Sequence, residues 1–161
     1  MKLIERVYRL LSIRDRSEKE IRDYVKRRNF KFKMVHPASG GKGRDLITDS
    51  EVDEVIKTLK EKGFLDDERF AQSWVESRSR KYGVNKIKQE LAQKGIRDFR
   101  FQIPNEEQTM EKLLERKLKS WKSLESLEFK KKATEFLLRR GFEFGAAQTA
   151  VENLMKKSYN S

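Results

Sequence analysis

The sequence predicts an all-α protein: tandem three-helix units stacked into an elongated, curved rod, with a loop or short extended insertion at about residues 30–48. Three observations lead there. Apolar residues recur at three- and four-residue steps through nearly the whole chain, with charges between them, which is the pattern of helices that bury one stripe. Glycine-apolar pairs such as Gly63-Phe64, Gly95-Ile96 and Gly141-Phe142 close these stripes, because glycine enters the left-handed region cheaply and ends a helix. Similar helix ends recur along the chain, as expected for stacked repeats that bury faces one unit could not.

The first stripe is Leu3, Ile4, Val7, Leu10 and Leu11, followed by a turn at Asp15-Arg16. Ser17-Glu18-Lys19-Glu20 has the form of a capping box, in which serine serves one free amide and glutamate another. Ile21, Tyr24 and Val25 continue that helix, and its expected end is the run Lys26-Arg27-Arg28-Asn29. Phe30, Phe32 and Met34 alternate with lysines, which is strand periodicity, and His36–Gly43 reads as a flexible loop. The Gly40-Gly41-Lys42-Gly43 run lacks the spacing and the Ser/Thr of a phosphate loop.

Val52, Val55, Ile56 and Leu59 form the next stripe, with Ser50 as the expected N-cap and Gly63 as the stop, over which Phe64 can fold back. Asp66 and Asp67 open a helix that carries Phe70, Ala71, Trp74 and Val75. Gly83 breaks it, and Val84, Ile87 and Leu91 follow, ending at Gly95. Phe99–Ile103 alternates again, and an extended pairing with residues 30–34 is expected. From Thr109 the stripes are Met110, Leu113, Leu114, Leu118 and Trp121, then Phe129, Ala133, Phe136 and Leu137, then Ala147, Ala150, Val151 and Leu154; Lys156–Ser161 should fray. The expected units are 1–64, 65–108 with a degraded third helix, and 109–161, together one elongated domain. Trp74, Phe70 and Trp121 all read as core.

The chain carries a net charge of +12, with 40% charged and 36% hydrophobic residues. That sign favours a polyanionic partner, such as nucleic acid or an acidic protein face. The absence of cysteine excludes disulfides and thiolate chemistry. No apolar run approaches the length needed to span a membrane, and no leader pattern opens the chain, so a cytoplasmic location is expected. His36 is the single histidine, there is no nucleophile elbow, and Asp66-Asp67 is explained by capping; no enzyme activity, catalytic residue, metal or cofactor is expected.

The candidate contact residues are cations. One zone surrounds the Tyr82-Gly83 joint: Arg78, Arg80, Lys81, Lys86 and Lys88, with Arg69 as a weaker member and Tyr82 able to stack. A second holds Lys26, Arg27 and Arg28 with Lys31, Lys33, Lys42 and Arg44; a third holds Lys130, Lys131, Lys132, Arg139 and Arg140. The plain alternative is that these are solvated helix backs.

The run Gly63-Phe64-Leu65-Asp66-Asp67-Glu68-Arg69-Phe70-Ala71, with Arg78, Tyr82-Gly83, Ile87, Gln89-Glu90-Leu91 and Lys94-Gly95-Ile96, closely resembles the RecX family. Tyr8-Arg9-Leu10-Leu11 with Arg14, Ser17, Glu20-Ile21 and Val25 is similar to that family's first repeat. The resemblance covers about residues 3–29 and 50–96; residues 109–161 match in pattern only, and the segments 30–48 and 99–104 depart from the family's compact joints. It implies a cytoplasmic regulator that binds the RecA recombinase, lodges in the groove of the RecA–DNA filament, and modulates, usually by inhibition, recombinase and co-protease activity. A monomer with no membrane association and at most weak direct DNA binding is expected. Two other classes stay open: a direct DNA-binding module of helix-turn-helix type, and an adaptor for an unrelated acidic protein.

Overall fold

The computed structural model describes residues 2–35 and 46–159. Eight helices follow in order: α1 (Leu3–Ile13), α2 (Glu18–Val35), α3 (Asp49–Glu61), α4 (Asp67–Arg78), α5 (Val84–Gln93), α6 (Glu106–Trp121), α7 (Ser126–Arg139) and α8 (Phe144–Tyr159). Among the described residues there is no strand. The chain is all-α and forms two compact units: Met1–Ala71 with Lys94–Ile96, and Gln72–Gln93 with Arg97–Ser161.

In the first unit α1 and α2 pack on α3. Val7, Ile21, Val25, Val52, Ile56, Leu59 and Leu65 form its core. The stop at Gly63 is as expected: its φ is +70°, and the amides of Phe64 and Leu65 both return to the Leu59 carbonyl. The residue that folds back into the core is Leu65, not Phe64. Phe64 stays half-exposed and meets the edge of Tyr8, with ring centroids 5.1 Å apart.

Several expectations need correction here. The second helix does not end at Asn29 but runs on to Val35, so Phe30, Phe32 and Met34 are helical and cannot pair as a strand with Phe99–Ile103. Nothing in residues 29–35 interrupts a helix, and Asn29 uses its carboxamide elsewhere: it donates to the Ile47 carbonyl (2.7 Å) and accepts from the Ile47 amide (3.1 Å). The loop expected at His36–Gly43 lies outside the described residues. The cap of α3 is Thr48 rather than Ser50; its hydroxyl accepts from the Glu51 amide, and the Glu51 carboxylate accepts from the Thr48 amide. The α6 helix begins at Glu106, earlier than Thr109, and α8 continues to Tyr159 instead of fraying from Lys156, with Lys157 paired to Glu111.

The capping box of α2 is present and does more than cap. Ser17 is fully buried; its hydroxyl accepts from the Glu20 amide and donates to the Lys94 carbonyl at 2.7 Å. The Glu18 amide is served by Asp67 (2.8 Å), while Asp66 caps its own helix through the amides of Glu68 and Arg69. Glu20 takes a bidentate pair from Arg14 and a third hydrogen bond from Lys94. Burial alone would raise its pKa, but the hydrogen bonds and charges of Arg14 and Lys94 hold it at about 2, below the ordinary 4.5. A carboxylate depressed in the folded state contributes stability above its ordinary pKa and loses it as pH falls through the folded value. We therefore expect wild-type stability to decline from about pH 4.5 toward pH 2. Glu20→Gln should cost about 1–2 kcal/mol at neutral pH, discounted for solvent contact, and flatten that acid limb. Denaturant midpoints measured across pH check this; equal acid limbs for both chains would refute it.

In the second unit α6, α7 and α8 pack on one another. Their core is Met110, Leu113, Leu114, Trp121, Ala133, Leu137, Phe142, Ala147, Ala150, Val151 and Leu154. Trp121 is buried as expected, with Phe129 and Phe136 edge-on at 6.0 and 5.6 Å. Residues 94–105 contain no helix, and the rings of Phe99 and Phe101 stack within that stretch at 6.1 Å.

Candidate partner-binding surface

The centre of the second unit is a joint between two glycine turns. The first four amides of a helix need partners from outside it. At α5 the Gly83 amide donates to the Arg140 carbonyl (2.9 Å) and the Asn85 amide to the Gly141 carbonyl (3.0 Å). The Val84 amide donates to the Glu106 carboxylate (3.3 Å). The α5 N-terminus is thus seated on the C-terminal end of α7, and each helix supplies what the other lacks. The approach is close enough to require glycine on both sides. A Cβ on Gly83 would lie 2.5 Å from the Gly141 oxygen, and one on Gly141, whose φ is +83°, 2.3 Å from the Lys86 nitrogen. A related seat occurs in the first unit, where a Cβ on Gly95 would lie 2.8 Å from Lys19 Cβ, beside the Ser17–Lys94 bond.

Side chains clasp this joint. The Arg140 guanidinium donates to the Lys81 carbonyl (3.1 Å) and lies over the rings of Phe136 (4.6 Å) and Tyr82 (5.7 Å). Arg78 stacks on Tyr82 at 4.2 Å and forms a bidentate pair with Glu90 at 2.6 and 2.8 Å. The Trp74 indole N–H donates to the same carboxylate (3.0 Å). Burial opposes the charge of Glu90, but the hydrogen bonds from Arg78 and Trp74 outweigh it and lower its pKa; the same bond to Glu90 raises the pKa of Arg78.

This geometry sorts the candidate cations. Arg78, Arg140 and Tyr82 are half-buried and hold the joint together. Lys86 is half-buried beside Gly141, and its charge helps depress the Glu90 pKa. Lys130 pairs with Glu152 at 2.7 Å. Arg69 is exposed but reaches back to the Gly63 carbonyl (3.1 Å), Arg27 reaches the Asp23 carbonyl of its own helix (3.3 Å), and Arg28 is half-buried. Arg80, Lys81, Lys88, Lys131 and Arg139 are exposed and, among the described residues, make no ion pair. Trp74 also departs from expectation: it is half-buried and hydrogen-bonded, not core, whereas Phe70 is buried.

Glu90 is the functional-looking residue that sequence reasoning passed over as a hub. The available signal was the i, i+4 spacing of Trp74, Arg78 and Tyr82, which lines three donors or ring faces along one side of a helix and its following turn. Among the described residues no helix is long and apolar enough to cross a membrane.

Comparison with known proteins follows the same anatomy. Residues 66–99, which contain α4 and α5, match the family description "RecX, second three-helix domain", and residues 105–151 match "RecX, third three-helix domain". The two segments together take in half of the chain and contain both sides of the glycine joint. The chain is 42% identical over 98 residues to the regulatory protein RecX of Shigella dysenteriae serotype 1, and 38% identical over 96 residues to that of Cronobacter sakazakii. In each case the alignment takes in 59% of this chain and 54% of the relative, so the chain spans about half the length of the curated relatives it matches. The crystal structure of RecX from Lactobacillus salivarius superposes with a TM-score of 0.70 at 19% identity, covering 94% of both chains. A second structure, of regulatory protein RecX, gives 0.72 at 20% identity, covering 93% of this chain and 71% of that one. With two of the family's three-helix domains matched in order and the same helical fold across nearly its whole length, this chain belongs to the RecX family of regulatory proteins.

Proposed function

We propose that this chain is a non-enzymatic cytoplasmic regulator that binds the RecA recombinase and the RecA–single-stranded-DNA filament, and restrains recombinase and co-protease activity. The observation that carries this reading is family membership, resting on two domain matches in tandem. The net charge of +12 suits a nucleoprotein partner, and repeated units offer several modest contacts whose effects combine through avidity. Because Arg78, Arg140 and Lys130 are engaged within the fold, the contact falls to the exposed cations Arg80, Lys81, Lys88, Lys131 and Arg139. The helix-turn-helix alternative is weakened by the seat of α5. Such modules offer the N-terminal residues of a recognition helix to base edges, and here that end is occupied by Arg140 and Gly141.

The test is binding to DNA alone, to RecA alone and to the RecA–single-stranded-DNA filament across a salt series. Tightest binding to the filament is the expected result. Reversal of Arg80, Lys81 and Lys88 together should weaken inhibition of strand exchange by at least about tenfold while leaving the melting temperature in place. Strong, sequence-selective binding to bare DNA would instead support the DNA-module reading, and full inhibition by the reversed chain would remove this zone.

A further inference from the structure

From Tyr24 to Val35 the second half of α2 holds five cations and no carboxylate. Phe30 and Met34 lie one turn apart on the side turned away from the buried Ile21, and they are 65% and 67% exposed. Lys26 and Arg27 stand one turn before Phe30, Lys33 one turn after it and Lys31 beside it, so an exposed ring sits among cations. The fold does not absorb these charges. Lys26, Lys31 and Lys33 are exposed and, among the described residues, make no ion pair; the bond of Arg27 is to the Asp23 carbonyl of its own helix (3.3 Å). Nearby carboxylates are engaged elsewhere: Asp23 pairs with Lys19 (2.7 Å), Asp53 pairs with Arg22 (2.8 Å), and Glu51 caps α3. The negative end of the helix accounts for Lys33 in its last turn but not for Lys26 or Lys31. Arg27 and Lys31 are moreover a like-charge i, i+4 pair, which weakens a helix.

We propose that this ridge binds single-stranded nucleic acid, with a base stacked on Phe30 and the flanking phosphates held by Lys26, Arg27, Lys31 and Lys33. Stacking on a side chain needs a base with a free face, which an unpaired strand offers and a duplex does not. The contact is sequence-tolerant, since every base has such a face. An anionic bilayer is matched less well: interfacial helices bury a continuous apolar stripe, and here two apolar side chains stand among four cations. An acidic protein groove is the remaining alternative, and loss of the ring separates it, because a groove accepts leucine for phenylalanine and a stacked base does not. The inference goes beyond the regulator reading, since it concerns the strand alone, with no recombinase present.

The probe is fluorescein-labelled oligothymidylate, read by anisotropy against the full chain at low salt. Wild type should bind it, with an affinity that falls as salt rises. Phe30→Leu keeps the apolar bulk and removes the ring; it should weaken binding at least about fivefold. K26E/K31E/K33E should weaken it at least about tenfold and flatten the salt dependence. All of these side chains are exposed, so the melting temperatures should stay in place. Binding of RecA without DNA should be the same for wild type and Phe30→Leu, so this proposal and the regulator reading fail separately. Failure of wild type to bind, equal binding by Phe30→Leu, or tighter binding to a duplex than to the strand would each overturn the proposal. So would a Phe30→Leu chain that keeps the strand but loses phosphatidylglycerol vesicles or RecA, which would assign the ridge to a bilayer or to the protein.

Discussion

Gly141→Ala should destabilise the protein by about 2–5 kcal/mol, the sum of a left-handed backbone penalty and an overpacked contact. The added Cβ meets the Lys86 nitrogen at 2.3 Å and the Lys86 Cβ at 2.4 Å, and a helix backbone cannot move aside as a side-chain tip can. Two companion glycines separate the contributions. Gly63 has φ +70° and nothing within 4 Å of an added Cβ, so Gly63→Ala should cost only about 1–2 kcal/mol, from the backbone alone. Gly83 has no positive φ but would place a Cβ 2.5 Å from the Gly141 oxygen, so Gly83→Ala should cost about 1–3 kcal/mol, from packing alone. Urea midpoints for the three chains give the comparison. If Gly141→Ala cost no more than Gly63→Ala, the joint would not be tightly seated.

The two tryptophans should behave very differently. Trp121→Ala empties a site enclosed by Phe129 and Phe136 and should cost about 3–5 kcal/mol. Trp74→Ala removes a half-buried ring and one hydrogen bond to a Glu90 carboxylate that keeps Arg78, so about 1–2 kcal/mol is expected. Equilibrium unfolding followed by circular dichroism distinguishes them. Equal losses would mean that the two environments had been misassigned.

The contrast between these residues also shows what could be read from sequence. The three glycine stops were legible because a left-handed residue at a helix end is a local requirement, written into one or two positions. The overrun of α2 was not. Phe30, Phe32 and Met34 alternate over too few residues to exclude a helix, and Phe30 and Met34 are equally an i, i+4 pair. Trp74 sits at a stripe position, yet whether a stripe meets core or a charged neighbour depends on where Glu90 arrives, sixteen residues later, and no local pattern carries that. The basic zones were legible as charge. Their division into cations that clasp the joint and cations left to solvent was not, because it follows from tertiary distances of a few ångströms.

The seat of α5 on α7 has a bearing on how the polypeptide matures. The amides of Gly83 and Asn85 wait for carbonyls that lie more than fifty residues downstream. During synthesis from the N-terminus, α5 therefore emerges well before the groups that complete its first turn. Repeats of this kind do not finish one at a time: the middle of the chain settles only when its far end has been made.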